Sequence, residues 1–160
     1  RLATLHRAET TDGGLTAVAR IFGAFERLPE RVVIPIHPRT RALAEQALRE
    51  YRFQNILLTD PVGYLEMLLL TSNAVQVLTD SGGLQKEAWF LGVPCVTLRR
   101  ETEWVETLEG GWNVLAGLDP ERIYRLATET KPDPAAREKQ PFGDGNASGK
   151  IAAALAEAVK

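Results

Sequence analysis

The chain has 160 residues, enough for one domain with a sizeable core and too few for two ordinary domains. Hydrophobic residues make up 44% of it and charged residues 25%, which is typical of globular proteins and not of disordered or fibrous ones. The net charge of -2, with both signs interspersed, and the absence of a long apolar run argue against a nucleic-acid partner and against a membrane span.

Short β-type runs alternate with amphipathic helical segments along the chain. Leu15, Val18, Phe22 and Phe25 recur at helical spacing, which predicts a helix with one apolar face turned toward a sheet. Such alternation predicts an α/β fold, a Rossmann-like parallel sheet with helices on both faces. The predicted strands cover residues 2–5, 32–36, 56–58, 75–79 and 95–98, with a weaker one at 113–116.

Prolines mark the ends of several predicted elements. Asp60-Pro61 and Asp119-Pro120 each place a capping side chain before a proline that suits the first turn of a helix. Each pair therefore predicts a helix start. Pro35 removes a hydrogen-bond donor from the second strand, which predicts an edge or strand-end position there.

Residues 131–145 are rich in proline and glycine, which predicts a break in regular structure before a tail helix within residues 146–160. That helix would carry Ile151, Leu155 and Val159 on its inward face. The chain opens without methionine or a signal-peptide pattern, directly in a strand-like run. We therefore expect a piece of a longer protein, with the tail helix packed on a part outside this chain.

Polar side chains follow most of the predicted strands. In an open parallel sheet, ligands bind outside the carboxyl ends of the strands. We therefore expect a binding site at this edge of the sheet. The polar residues found there are His6, Arg7 and Glu9 after the first strand, His37 after the second, Asp80 to Gly83 after the fourth and Arg99 after the fifth.

The segment from Thr79 to Ala88 is a strand that ends in a turn of small residues and opens directly into a helix. Gly82 and Gly83 have no Cβ to block a phosphate, and Ser81 offers a hydroxyl. The first N–H groups of the helix are free donors at the positive end of its dipole. The pattern predicts a phosphate site, although a plain Ser81 helix cap with a glycine turn would give the same residues, and neither GxGxxG nor GxxxxGK[ST] is matched.

Glu87 lies in the second turn of the same helix, where its carboxylate can reach the hydroxyl groups of a ribose bound above the helix start. Taken alone, a glutamate on a helix is more often a solvated surface group. Arg99 has the fork geometry that binds phosphate, or it forms a structural ion pair with Glu101 or Glu103.

The two histidines of the chain both follow predicted strands. His6 can serve as a general acid or base, or as a phosphate donor, because the ordinary pKa of histidine is near neutrality. A strand-end histidine satisfied by neighbouring backbone is the alternative. For His37, which Pro38 follows, we expect binding and not proton transfer.

Several short motifs cover nearly the whole chain in a characteristic order and spacing. They are Thr4 to Glu9, His37-Pro38, Asp80 to Ala88, Leu91 to Pro94, Arg99 with Thr102-Glu103, and Phe142 to Gly145. Each motif is modest, but their conjunction is specific. Together they resemble the non-hydrolysing UDP-N-acetylglucosamine 2-epimerase family.

The resemblance implies two Rossmann-like domains of the GT-B type that face each other across an active-site cleft. Residues 1–160 would be the C-terminal, UDP-binding domain, and the N-terminal domain, which supplies the catalytic carboxylates, would be absent. The family eliminates UDP across C1–C2 of the sugar to give a 2-acetamidoglucal, then adds UDP back with C2 inverted, and it consumes no cofactor. We therefore expect this chain alone to bind UDP weakly and not to turn over.

The resemblance also implies roles for individual residues. His6 would be a catalytic histidine near the diphosphate, Glu87 would hold the ribose, and Arg99 would contact UDP. Ser81, Gly82 and Gly83 would hold the phosphates. In some bacterial members, the positions of Arg7, Glu9 and His37 contribute to a second site where substrate acts as an allosteric activator.

Departures from the family pattern leave the sugar open. Thr10 and Lys86 replace a common asparagine and a common acidic residue, and Trp104-Val105 is closer to the branch that acts on UDP-2,3-diacetamido-uronic acids for surface polysaccharide. Three further alternatives stay open. They are a hydrolysing relative, a glycosyltransferase half-domain and a non-catalytic module that binds a nucleotide sugar.

The remaining expectations concern assembly and compartment. The resemblance implies a homodimer when the protein is full length, with a UDP-sugar as substrate and no metal. Cys95 is the single cysteine and lies in an apolar run, which predicts a buried strand thiol in a reducing cytoplasm.

Overall fold

A computed structural model describes residues 1–139 and 141–158. In those residues, six strands form one sheet, and every strand pair is parallel. The strand order is β3-β2-β1-β4-β5-β6. The strands are β1 (Leu2–Thr4), β2 (Val32–Pro35), β3 (Ile56–Thr59), β4 (Val77–Thr79), β5 (Cys95–Thr97) and β6 (Asn113–Leu115).

Helices connect the strands and cover the sheet on both faces, as the sequence predicts. The helices are α1 (Ala8–Thr11), α2 (Gly14–Glu26), α3 (Pro38–Tyr51), α4 (Tyr64–Ser72), α5 (Gly82–Leu91), α6 (Pro120–Glu129) and α7 (Ala147–Ala158). Short 3-10 segments span Val105–Gly111 and Pro134–Lys139. Helix α2 packs against α3 and α6 on one face, and α4 packs against α5 on the other.

The core has two layers because successive strand residues point to opposite faces of the sheet. The strand register places Ala3, Leu78 and Val96 side by side, and this row is buried in the same cluster as the apolar stripe of α2. The neighbouring row is buried under α4 and α5, and it consists of Leu2, Val77 and Cys95. Burial raises the pKa of the Cys95 thiol to about 12.

The proline signals predicted some element ends correctly. Asp119 caps α6, because its carboxylate accepts a hydrogen bond from the Arg122 N–H at 2.8 Å. Pro35 is the last residue of β2, so the strand-end alternative holds, although β2 is not an edge strand.

The helix start predicted after Asp60 is wrong. Helix α4 begins at Tyr64, and its entry is held by a hydrogen bond from the Gly63 N–H to the Glu66 carboxylate at 2.7 Å. The Asp60 carboxylate instead accepts a hydrogen bond from the Arg41 guanidinium, also at 2.7 Å. Asp60 therefore forms an ion pair with Arg41 of α3 and does not cap α4.

The tail helix exposes the apolar face that the sequence marks on it. The break predicted at 131–145 contains one short 3-10 segment, and α7 follows as expected. Ile151 and Leu155 are 59% and 61% exposed, so this face does not pack on the core described here, and its packing on a part outside this chain stays a prediction. Val159 lies outside the described residues. Within the described ranges, no helix is both long and apolar enough to cross a membrane.

The different environments of Ile34 and Leu155 can be compared by alanine substitution. Ile34 is fully buried under α2 and α3, so Ile34→Ala is expected to lower the free energy of unfolding by about 2–5 kcal/mol. Leu155→Ala is the matched control and is expected to change it by less than about 0.5 kcal/mol. Urea unfolding followed by circular dichroism measures both, and a large loss from Leu155→Ala would contradict this placement of α7.

Candidate functional site

Asp80, at the carboxyl end of β4, is buried and organises the neighbouring strand end. Its Oδ2 accepts hydrogen bonds from the backbone N–H groups of His6 and Arg7, both at 2.9 Å. The same oxygen accepts a bond from the Thr10 hydroxyl at 2.7 Å. These bonds fix the turn between β1 and α1 against β4.

The His6 imidazole is held by the other oxygen of the same carboxylate. Its Nδ1 lies 3.0 Å from Asp80 Oδ1, an atom with no other hydrogen-bond partner among the described residues. A carboxylate accepts hydrogen bonds, so the proton belongs on Nδ1, and Nε2 is left for a ligand. The hydrogen bond with Asp80 is the main cause that raises the pKa of His6, although partial burial opposes it.

Burial of the Asp80 carboxyl acts to raise its pKa, but the hydrogen bonds that it accepts outweigh this effect. The side-chain bond from His6, the backbone N–H groups of the turn and the Thr10 hydroxyl together lower the pKa of Asp80. Asp80 is therefore a carboxylate and His6 has an increased share of the imidazolium form near neutral pH.

The turn that opens α5 leaves room beside Gly83. Ser81 has extended backbone and its Oγ accepts a long hydrogen bond of 3.4 Å from the Leu84 N–H, so the hydroxyl does cap the helix. A Cβ placed on Gly83 would meet only the Ser81 hydroxyl, at 3.9 Å. The first N–H groups of α5 thus face accessible space, as an anion site at a helix N-terminus requires.

A cavity of about 320 Å³ opens beside this turn. Its polar lining contains five residues singled out from the sequence, namely His6, His37, Ser81, Gly83 and Glu87. The His6 and His37 rings lie 6.2 Å apart. The carboxyl ends of β1, β2 and β4 therefore bring these side chains to one place.

The other lining residues were not predicted. They are Thr4, Leu5, Pro35, Pro61, Val62, Met67 and Leu84. Most are apolar, so nothing in their chemistry marks them as ligand contacts. The segment after β3 nevertheless has the position, outside a strand end, that singled out the histidines.

The remaining predicted residues lie around a second carboxylate, that of Glu103. Arg99 is buried and its Nη1 donates to both Glu103 oxygens, at 2.8 and 3.1 Å, and Arg7 Nη2 donates to one of them at 3.3 Å. The ion pair considered for Arg99 in the sequence is thus present. Gly82 lies next to the Glu103 carboxylate, and Glu9 lines a separate, smaller cavity with Arg99.

The pairing of His6 with Asp80 gives a prediction for stability against pH. A raised folded-state pKa means that His6 contributes its full stability below pH 6.5, its ordinary value, and loses it as the pH rises through the folded-state pKa. His6→Gln is therefore expected to lower the free energy of unfolding by about 1 kcal/mol near pH 5.5, and by less near pH 8.5.

Urea unfolding at the two pH values measures this effect. In an Asp80→Asn background the extra cost of His6→Gln at the lower pH is expected to disappear, because the charge that raises the pKa of His6 is gone and burial, which lowers it, remains. An equal cost of His6→Gln at both pH values in the wild-type background would contradict the pairing.

Comparison with known proteins gives a consistent match. A family model described as UDP-N-acetylglucosamine 2-epimerase matches residues 1–156. A UDP-N-acetylglucosamine 2-epimerase homolog of Methanococcus maripaludis is 48% identical over 162 residues, which cover 96% of this chain and 43% of that protein. A UDP-2,3-diacetamido-2,3-dideoxy-D-glucuronate 2-epimerase of Pseudomonas aeruginosa is 45% identical over 158 residues, covering 98% and 44%.

Solved structures give the same result. A UDP-GlcNAc 2-epimerase of Methanocaldococcus jannaschii in complex with UDP-GlcNAc and UDP is 37% identical with a TM-score of 0.74, and the match covers 98% of this chain and 44% of that one. The chain thus spans less than half the length of these relatives. The family model covers nearly the whole chain, and the chain therefore belongs to the UDP-N-acetylglucosamine 2-epimerase family.

Proposed function

We propose that this chain is the UDP-binding domain of a UDP-N-acetylglucosamine 2-epimerase, an isomerase that inverts C2 of a UDP-2-acetamido sugar. The observation that supports it most is the convergence of His6, Ser81, Gly83 and Glu87 on one cavity at the start of α5. The UDP-bound relative of the same fold makes UDP the ligand to test first.

The groups that line the cavity and the adjacent helix start suit the three parts of UDP, namely the diphosphate, the ribose and the base. The diphosphate lies at the start of α5, where Ser81, Gly82 and Gly83 present a hydroxyl, free N–H groups and the positive end of the helix dipole. Glu87, in the next turn, accepts the ribose hydroxyls. The apolar lining residues, Val62 among them, receive the base.

In this proposal, His6 stabilises the leaving group. Elimination breaks the C1–O bond, whose electron pair departs with UDP, and the C2–H bond, whose proton goes to a base and whose electron pair forms the C1=C2 double bond of the glucal. Re-addition uses that double bond: a proton is delivered to the opposite face of C2, and a UDP oxygen bonds to C1 again. An imidazolium at the diphosphate offsets the charge that develops there. Asp80 keeps the Nδ1 of His6 protonated and its Nε2 turned to the ligand.

The base for the C2 proton lies outside this chain in the proposal. Of the described residues that line the cavity, Glu87 alone carries a carboxylate, and the ribose engages it. The absent N-terminal domain, the other half of the GT-B cleft, provides the second wall. Catalysis, the homodimer and the cytoplasmic location are accordingly proposed for the full-length protein, as is an allosteric role for Arg7, Glu9 and His37.

A second candidate substrate is a UDP-2,3-diacetamido-uronic acid. It is favoured by the Pseudomonas aeruginosa relative named for that reaction, whose identity of 45% is close to the 48% of the Methanococcus maripaludis homolog. Incubation of the full-length protein with each UDP-sugar in heavy water, followed by NMR, separates the candidates. Deuterium at C2 with inversion in one sugar selects that substrate, and inversion in neither contradicts an epimerase and leaves a nucleotide-sugar-binding module.

Glu87→Gln tests the UDP site in this chain. The substitution keeps the shape of the side chain but removes the charge that accepts two ribose hydroxyls, so it is expected to weaken UDP binding about fivefold to thirtyfold. Glu129→Gln, an exposed residue of α6, is the control and is expected to leave affinity unchanged. Calorimetric titration measures both.

The same titration with uridine tests the phosphate end. Ser81→Ala removes a hydroxyl from the phosphate seat, the proposed diphosphate site at Ser81, Gly82 and Gly83. It is therefore expected to weaken UDP binding and to leave uridine binding unchanged. Equal affinities of the wild-type chain for UDP and uridine would mean that the diphosphate adds nothing to binding, and would contradict a phosphate site at Ser81.

A further inference from the structure

The carboxylate of Glu103 lies at the phosphate end of the proposed UDP site. Its oxygens are 3.3 and 3.6 Å from the position that a Cβ would occupy on Gly82, the first residue of α5. It receives three hydrogen bonds from Arg99 and Arg7. A negative group thus stands beside the helix start, with two guanidinium groups directed at it.

The loop that carries Glu103 is fixed on both sides. The Thr102 hydroxyl donates to Gln85 Oε1 at 2.6 Å and accepts a bond from the Trp104 N–H at 3.0 Å. Gln85 belongs to α5 and is fully buried. The Lys86 ammonium, from the same helix, lies 4.1 Å from the centre of the Trp104 ring, a favourable cation–π contact. The backbone of Glu103 is therefore anchored to the helix that holds the phosphate seat.

The side chain of Glu103 is less confined than its backbone. It is 49% exposed, whereas the side chain of its partner Arg99 is 8% exposed. The Nε of Arg99 is buried and has no acceptor among the described residues, so the bonds to Glu103 leave part of the donor capacity of this guanidinium unsatisfied. Rotation of Glu103 toward solvent would free the Nη1 of Arg99, while the buried Arg99 side chain stays in place.

We infer that the Glu103 carboxylate competes with the diphosphate of UDP for the guanidinium groups of Arg7 and Arg99. It pairs with both arginines when no ligand is bound and releases them when the diphosphate binds. This inference rests on the proposed UDP site. A buried guanidinium without a partner is costly, and Glu103 removes that cost in the empty site. The same carboxylate repels the incoming phosphates, so the affinity for UDP is lower than the cationic groups alone would give.

Glu103→Gln tests the inference. The amide keeps the shape of the side chain, and its oxygen still accepts a bond from Arg99, but the negative charge is gone. UDP is expected to bind about fivefold to tenfold more tightly at low salt, with a smaller gain at high salt. Uridine, which has no phosphate, is expected to bind unchanged.

Glu101→Gln is the matched control. Glu101 is an exposed residue of the same loop, and its replacement changes the net charge equally, two positions away. It is expected to bind UDP like the wild-type chain. Circular dichroism and thermal unfolding of the three chains verify that each variant is folded, so that the affinities can be compared.

The outcomes separate this inference from the function on which it rests. Tighter UDP binding by Glu103→Gln alone supports the competitor role. Equal or weaker UDP binding by Glu103→Gln, with UDP still bound by all three chains, overturns the competitor role and leaves the UDP site standing, because Glu103 would then only position Arg99. Failure of all three chains to bind UDP at millimolar concentration overturns the UDP site, and the inference with it.

Discussion

The buried carboxylate of Asp80 is the constraint on which the proposed site depends. A charge removed from water is strongly destabilising unless it is paired and fully hydrogen-bonded. Asp80 meets this requirement with two backbone N–H groups, the Thr10 hydroxyl and the His6 imidazole. Because all of these donors belong to the segment that follows β1, the carboxylate joins the ends of two neighbouring central strands. It also fixes His6 next to the turn that opens α5. The stability of the fold and the geometry of the site therefore depend on the same hydrogen bonds.

The charged side chains around the proposed site are paired with one another. Asp80 is paired with His6, and Glu103 is paired with Arg99 and Arg7. The free donors at the start of α5 are what remains for an anion, and a ligand gains the arginines only in competition with Glu103. This arrangement suits a domain that must release the nucleotide as well as hold it. It also agrees with the proposed function, in which this domain binds UDP and a second domain supplies the base for the chemistry at C2.

Local patterns in the sequence predicted the parallel sheet, most helices and the turn at Ser81, because each is encoded within a few adjacent residues. The polar residues after strands could be assigned to one edge without knowledge of the strand order, since parallel strands end together. Contacts between distant residues could not be predicted. The bond from Thr10 to Asp80 joins positions 70 residues apart, and the approach of Glu103 to Gly82 depends on how the loop after β5 folds back. Met67 gives no chemical sign of lining a cavity, and Asp60 pairs with Arg41 when a cap is expected.

The start of α5 is the proposed seat of the diphosphate, and the proposed function depends on it. Backbone amide NMR of the chain, with UDP and uridine added separately, tests this seat most directly, because an amide that donates to a phosphate changes its chemical shift. We expect the amide signals of Ser81, Gly82 and Gly83 to move with UDP but not with uridine, and the signal of His6 to move with them. Larger shifts elsewhere on the sheet edge, or the same shifts with uridine, would contradict it.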